Sequence, residues 1–357
     1  LYNPTKKSLM SNLVSANQGK AMFGKPMAMD VVYNMGFVNA SGNKAATNSL
    51  FLSTESGNMQ FMSLQDGKAF ITPANAHYEG VQGEVAYRAY GGFYNNFLVT
   101  SNGVYTGSTA SQGGTGVFGA VAGDGASTHV VSGGRSSFYG IAFWSDAAHA
   151  IEGIDYNGGR TAVSSMVDGY TASVPNAICL DCGHCEAGSG YSYFILQDKD
   201  DATKKWLYTV LVDFSSVMIT SVRPISADSH FSKASVRAIN SLTATIGYAV
   251  DNNKLYSYNL AQETDEKELT LQGIGADETI TYVSNRYYAG TPSFDYLVIG
   301  TQKGNAYHVY FYNMVGGEPV GAPVFSFSGE GVMKSLGYVN SAATVGTNET
   351  LMPVLDE

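Results

Sequence analysis

Short runs of apolar residues, separated by polar turns, recur along the whole chain. The clearest case is the apolar run 296–300, which is followed by a polar turn at 301–305 and an aromatic-rich run at 306–312. This pattern predicts a β-hairpin. The next run, 323–327, predicts an outer edge strand, where a proline removes no hydrogen bond from the sheet. Because both faces of the hairpin are apolar, we expect other sheets to cover it on both sides.

The hairpin pattern occurs seven times. Equivalent residues in the copies are 38 to 54 positions apart: Leu13, Phe51, Leu98, Ala142, Ile195, Ala249 and Val298. A further inner strand is predicted at 29–37, 84–90, 128–132, 177–182, 235–240, 279–284 and 332–339. Repeats of this size are typical of β-propeller blades. The sequence therefore predicts an all-β fold, a seven-bladed β-propeller with four-stranded antiparallel blades.

The two ends of the chain predict how the propeller closes. The hairpin at 13–23 has no inner strand before it, and the inner strand at 332–339 has no hairpin after it. Joining them leaves no exposed sheet edge between the first and last blades. We therefore expect residues 1–357 to form a single β-propeller domain, in which 1–24 complete the blade begun by 332–357.

Composition narrows the range of partners. The chain has 14% charged residues, 41 glycines and 24 tyrosines, a profile of turn-rich β structure, and its formal net charge is −10. A negative field repels nucleic acid and anionic membranes, so neither is an expected partner. No apolar run approaches the roughly 18 residues of a membrane-spanning helix.

Aromatic residues recur just before the predicted hairpins, at Tyr94, Tyr139, Tyr287 and Tyr288. Rings on one rim of a propeller can stack on sugars or on apolar peptide side chains, since they offer a large contact area at low entropic cost. These four tyrosines are the candidate ligand-binding aromatics. The alternative is that they pack between neighbouring blades.

Carboxylates recur in the opposite set of loops, between one blade and the next. Candidate ligand-binding acids are Asp124, Asp168, Asp228 and Asp277, and Glu79 and Glu330 follow the same pattern. A ring of acids at the mouth of a channel can hold a cation or a basic ligand. The alternative is ordinary turn chemistry, because Asp next to Gly favours tight turns.

The three cysteines, Cys179, Cys182 and Cys185, form one cluster with His184. Three states are open: a metal site, one disulfide with a spare thiol, or free thiols that are buried or half-buried. A closed zinc site needs four converging ligands, and no second C-x-x-C pair exists. No metal site and no cofactor is therefore predicted.

Sequence motifs do not indicate an enzyme. The sialidase Asp box, the G-x-S-x-G elbow and the H-E-x-x-H helix are absent, so no catalytic residue is assigned. The sequence favours a non-catalytic module that binds a glycan or a polypeptide. The alternative is a propeller hydrolase or lyase that acts on polysaccharide with carboxylates at the channel mouth, since such pairs need not be close in sequence.

Residues 19–26 and 304–313 resemble the propeller portion of the PKD-like lipoproteins of Bacteroidetes. The resemblance would cover essentially the whole chain. It implies an exported, lipid-anchored protein on the extracellular face of the outer membrane, with its signal segment and PKD-like modules upstream of Leu1. It also implies a partner role in outer-membrane uptake of glycans or proteins, with membrane contact only through the lipid anchor. The cysteine cluster departs from this pattern.

Overall fold

The computed structural model describes residues 2–3, 8–72, 84–92, 94–123, 126–132, 140–185, 190–213, 215–243, 245–262, 266–288 and 293–337. Nearly all of the regular structure in these ranges is β-strand. The chain begins with a two-stranded ribbon and a short helix: β1 (Tyr2–Asn3), β2 (Ser8–Leu9) and α1 (Leu13–Gln18). No helix in the described ranges is both long enough and apolar enough to cross a membrane.

Three four-stranded antiparallel sheets follow, each with its strands in chain order. Sheet I contains β3 (Pro26–Val38), β4 (Lys44–Thr54), β5 (Met59–Ser63) and β6 (Ala69–Ile71). Sheet II contains β7 (Ala86–Gly91), β8 (Asn95–Thr100), β9 (Gly103–Ser108) and β10 (Gly119–Gly123), with a 3-10 turn at Ala110–Gln112. Sheet III contains β11 (Ala126–Ser132), β12 (Ile141–Ser145), β13 (Ala150–Ile154) and β14 (Arg160–Thr161).

Three more sheets occupy the rest of the described chain. Sheet IV contains β16 (Ala177–His184), β17 (Tyr191–Asp198), β18 (Lys205–Val212) and β19 (Val217–Ile225), and β15 (Val163–Ser165) adds a fifth, parallel strand to β19. Sheet V follows α2 (His230–Lys233) and contains β20 (Val236–Ile239), β21 (Ile246–Asp251), β22 (Lys254–Asn259) and β23 (Glu266–Leu269). Sheet VI contains β24 (Thr279–Tyr288), β25 (Phe294–Lys303), β26 (Ala306–Val315) and β27 (Glu318–Glu330).

The chain divides into two compact units. One contains residues 1–162, 214–216 and 334–357, and therefore sheets I to III. The other contains residues 163–213 and 217–333, and therefore sheets IV to VI. Within each unit the first strand of one sheet packs beside the first strand of the next, as inner strands of neighbouring propeller blades do. The described chain is thus organised as consecutive blade-like sheets.

Apolar residues fill the spaces between neighbouring sheets of a unit. Phe51 and Phe61 of sheet I pack with Leu98 of sheet II, and Tyr248 of sheet V packs with Leu297 of sheet VI. This explains why the strands carry apolar residues on both faces. Burying each such side chain contributes about 1.5–3 kcal/mol.

Two sequence predictions about the chain ends differ from the structure. The hairpin predicted at 13–23 is wrong, because residues 13–18 form α1. Leu13 and Val14 of α1 pack against Leu50, Met62 and Leu64. These two apolar residues therefore cover sheet I from a helix and are not part of a strand. Residues 332–337 form no strand, and 338–357 lie outside the described ranges. The described residues therefore contain six blade-like sheets, five with four strands and one with five, and the seventh blade stays a prediction.

Candidate functional site

The described candidate acids lie in separate exposed turns of the second unit. Asp168 is exposed, and the Asp228 side chain is fully exposed, with one carboxylate oxygen 3.9 Å from Nζ of Lys233. Asp277 pairs with Lys303 at 2.5 Å, and that hydrogen bond lowers the pKa of Asp277. Asp124 lies outside the described residues. Within the described ranges, no three His, Cys, Asp or Glu side chains form a group suited to hold a metal ion.

Glu278, the residue that follows Asp277, is a buried acid. Its carboxylate accepts hydrogen bonds from Thr301 Oγ1, from His308 Nδ1 at 3.1 Å and from the Tyr310 hydroxyl at 2.9 Å. The Gly275 amide donates a further bond of 3.0 Å. Burial alone raises the pKa of Glu278, but these donors outweigh it and lower the pKa to about 2. His308 is therefore a satisfied structural residue.

A similar arrangement occurs in sheet II. Glu84 lies two positions before Ala86, which pairs with Thr100. Glu278 likewise lies two positions before Ile280, which pairs with Thr301. The Glu84 carboxylate accepts hydrogen bonds from Thr100 and, at 3.1 Å, from the Tyr105 hydroxyl. Asp124 occupies the same position in the sequence before β11. Glu84 and Glu278 therefore have structural roles, whereas the candidate acids Asp168, Asp228 and Asp277 are exposed.

The candidate tyrosines have different surroundings. Tyr94 is half-buried, and its ring lies edge-on to Tyr156 of sheet III with centroids 5.4 Å apart. Tyr287 is also half-buried, and it pairs with Asp295 across sheet VI. Tyr139 and the side chain of Tyr288 lie outside the described residues. Tyr94 thus contacts the next sheet, which agrees with the packing alternative.

Tyr94→Ala is expected to lower the free energy of unfolding by about 1–2 kcal/mol, less than the loss for a fully buried ring, because the side chain is only partly buried. Thermal unfolding measures the melting temperatures of this variant and of the control Tyr170→Ala, whose side chain is more exposed. Equal melting temperatures for wild type and Tyr94→Ala would contradict a packing role and leave ligand contact as its explanation.

The three cysteines lie in β16, the first strand of sheet IV, and directly after it. Cys179 and Cys185 are buried and Cys182 is half-buried. The Cys185 thiol donates to the Ser241 carbonyl at 3.2 Å. Beside them, burial raises the pKa of Asp181 to about 6, although Arg237 and the Cys182 amide lower it.

His230 and Asp251 form the arrangement that most resembles part of a catalytic triad. Nδ1 of His230 lies 2.8 Å from Asp251 Oδ2, and the imidazole stacks on Tyr256 at 3.7 Å. The adjacent Ser229 hydroxyl accepts from the Ser232 amide and donates to the Ser226 carbonyl. Because this hydroxyl caps α2, it is not positioned as a nucleophile for His230.

A cleft of about 430 Å³ lies between sheets V and VI. It is lined by Thr245, Ile246, Ser257, Tyr258, Asn259, Glu266, Lys267, Gly316, Gly317 and Glu318. Its volume is within the range of small-molecule sites, about 300–1,000 Å³. These residues were not predicted as a site from the sequence, because they come from four strands and two turns.

The turn between β26 and β27 forms one wall of the cleft. Gly316 and Gly317 adopt positive φ of 60° and 86°, which side chains disfavour. The Tyr248 hydroxyl donates to the Gly317 carbonyl at 2.8 Å, and a Cβ on Gly317 would lie 2.4 Å from Ile246 Cδ1. The turn is therefore held in place by buried side chains of sheet V.

Charged groups of the cleft are paired. Lys267 Nζ lies 2.6 Å from Glu318 Oε1, so this ion pair connects sheet V to sheet VI across the cleft. The Glu266 carboxylate accepts from the amides of His230 and Phe231. Ser257, Asn259 and Thr245 add neutral polar groups. The lining therefore offers hydrogen bonds to a polar ligand and little net charge.

No family model and no curated protein matches the chain. Three similar solved structures are the Dos1 propeller (TM-score 0.44, 10% identity, 81% of this chain and 84% of that chain), human WBSCR16 (0.45, 9%, 86% and 87%) and BBS1N in complex with ARL6DN (0.43, 9%, 77% and 78%). The blade-like organisation of this chain rests on its own sheets.

Proposed function

We propose that this protein is a non-catalytic binding module whose cleft between sheets V and VI holds part of a glycan or a polypeptide. The observation that carries the proposal is the cleft itself, about 430 Å³ of space lined by hydroxyl, amide and backbone groups. Such groups recognise sugar hydroxyls or peptide bonds, which are neutral and polar. The ion pair of Lys267 and Glu318 supplies the charged donors and acceptors at one wall.

Binding is favoured over hydrolysis or elimination because the two cleft carboxylates are engaged. Glu266 accepts two backbone amides, and Glu318 is paired with Lys267. A glycosidase needs one carboxylic acid that donates a proton and a second carboxylate that acts as base or nucleophile. Neither cleft glutamate is left available for such a role by these contacts.

The proposal also covers the complete fold and the location of the protein. We take the six sheets and the remaining residues to close into one seven-bladed propeller on an exported lipoprotein that assists nutrient uptake at the cell surface. The resemblance to PKD-like lipoproteins supports this setting. A cryo-EM reconstruction with six radial sheets would contradict the blade count, and resistance to protease added to intact cells would contradict the surface location.

The test of the cleft uses glycan and peptide arrays probed with the fluorescently labelled protein. We expect binding to one ligand class without product formation, as checked by mass spectrometry. Lys267→Ala should weaken the strongest ligand about 5- to 20-fold, the effect of losing one or two hydrogen bonds to a charged group.

Lys254→Ala is the matched control, because Lys254 forms a comparable ion pair with Glu268 on β22 and β23, outside the cleft lining. It should leave affinity unchanged. Equal losses in both variants would show that the ligand does not occupy the cleft, and released products would favour the hydrolase or lyase alternative.

A further inference from the structure

The outer strands of the described sheets differ greatly in length. The fourth strands of sheets I, II, III and V have only two to five residues. Short edge strands limit pairing with other chains. β19 of sheet IV has nine residues, and β15 covers part of its edge. β27 of sheet VI has 13 residues, and no described strand pairs with its outer edge.

One half of β27 is a regular edge. Residues 325–330 pair in unbroken register with residues 306–311 of β26, whereas the register shifts between Phe311 and Asn313. The Gly331 amide donates inward to the Asn305 carbonyl at 2.7 Å. Since alternate residues of a strand direct their backbone groups to alternate sides, Ser326, Ser328 and Glu330 direct theirs outward. The side chains of these three residues are exposed, and none is proline.

We propose that this edge, residues 325–330, binds an extended segment of a partner polypeptide as a fifth strand of sheet VI. The same kind of strand addition occurs within this chain, because β15 adds a fifth strand to the corresponding outer strand of sheet IV. Strand addition of this kind derives its affinity from main-chain hydrogen bonds and its specificity from alternate side chains. The binding surface lies outside the cleft lining, so it extends the proposed function.

The surroundings of the edge define the chemistry of the partner. Phe325 stacks on Phe311 with centroids 4.2 Å apart, and Phe327 lies on the same face at 6.2 Å from Phe311. Partner residues on that face are therefore apolar. On the other face, exposed Glu330 favours a lysine or arginine, which the net charge of −10 also attracts.

A second copy of this chain is a weaker candidate for the occupant. Self-pairing over six residues buries much less than the about 1,000 Å² that a stable interface needs. The partner is therefore a separate polypeptide with an extended segment in which apolar and polar residues alternate.

The test is selection of random 12-residue peptides displayed on phage against the full chain, followed by affinity measurement with the synthetic peptides. We expect selected peptides to share the apolar–polar alternation. Ser328→Pro should weaken them by at least about tenfold, because it removes an outward N–H but no bond within the sheet. Ser328→Ala, which removes the same hydroxyl and keeps the N–H, should bind as wild type does.

Further measurements keep the proposal falsifiable if Ser328→Pro fails to fold. N-methylation of alternate peptide backbone nitrogens should then abolish binding to the wild-type protein. Equal binding by both Ser328 variants, or no effect of N-methylation, would overturn the proposal, as would a dimer in light scattering that Ser328→Pro dissociates. A ligand found for the cleft on the arrays should not compete with the selected peptides, which separates failure here from failure of the cleft.

Discussion

Glu278→Ala is expected to lower the free energy of unfolding by about 2–4 kcal/mol, the largest single effect that we predict in the second unit. The substitution leaves four donors without their acceptor: the Thr301 hydroxyl, the His308 ring, the Tyr310 hydroxyl and the Gly275 amide. Three of these belong to β25 and β26, so the loss also loosens the connection of the loop to sheet VI. Chemical denaturation monitored by circular dichroism measures the change.

Asp277→Ala is the matched control for this variant. Asp277 is the adjacent residue and also carries a carboxylate, but its pair with Lys303 is exposed. Solvent and salt screen such a pair, so the control should unfold nearly as wild type does. A control that is as unstable as Glu278→Ala would show that the loop tolerates no substitution and that the buried network is not the cause.

The stabilisation that Glu278 provides should decrease as the pH falls. Its pKa is about 2 in the folded protein, below the ordinary value of 4.5. A lowered folded pKa contributes stability above the unfolded pKa, and this contribution disappears as pH falls through the folded pKa. The difference in melting temperature between wild type and Glu278→Gln should therefore be greatest above pH 4.5 and shrink toward pH 2. A difference that grows on acidification would contradict the network.

Asp30→Ala is expected to destabilise the first unit by about 2–4 kcal/mol. The Asp30 carboxylate accepts a two-pronged ion pair from Arg88, with distances of 2.7 to 3.1 Å, and a further bond from the Ala89 amide. This contact connects the first strands of sheets I and II. Asp30 is only 11% exposed, so its partners are not replaced by water when it is removed.

Asp66→Ala provides the comparison, because Asp66 pairs loosely with Lys68 at 3.9 Å and both side chains are exposed. We expect a change within about 0.5 kcal/mol for this control. A double-mutant cycle with Arg88→Ala should give a coupling of about 1–3 kcal/mol. Zero coupling would show that Asp30 acts through the Ala89 amide alone.

The strands are the part of this structure that the sequence predicts well. Six of the seven predicted inner strands coincide with β3, β7, β11, β16, β20 and β24, and the hairpins that follow them are all present. Each hairpin depends on local signals, namely apolar runs and turn residues such as Asn252 and Asn253, whose φ is positive. Local signals survive in a single sequence because the interacting residues are close along the chain.

The chain ends show where local pattern is insufficient. Apolar Leu13 and Val14 fit a strand or a short helix equally well, and the choice depends on their contact with Leu50 and Met62. That contact joins residues far apart in sequence. A pattern of two apolar positions does not contain this information.

The candidate sites also separate the features that local sequence determines from those that packing determines. The sequence by itself determined that a carboxylate recurs before the first strand of a sheet. It did not determine which acid is buried, because the exposed Asp277 and the buried Glu278 are adjacent. A shift of one residue moves a side chain to the other face. The cleft, the ion pair of Lys267 and Glu318 and the contact of Asp30 with Arg88 all join different sheets. Only the tertiary structure decides these features, because packing between sheets, and not any local preference of the chain, brings their residues together.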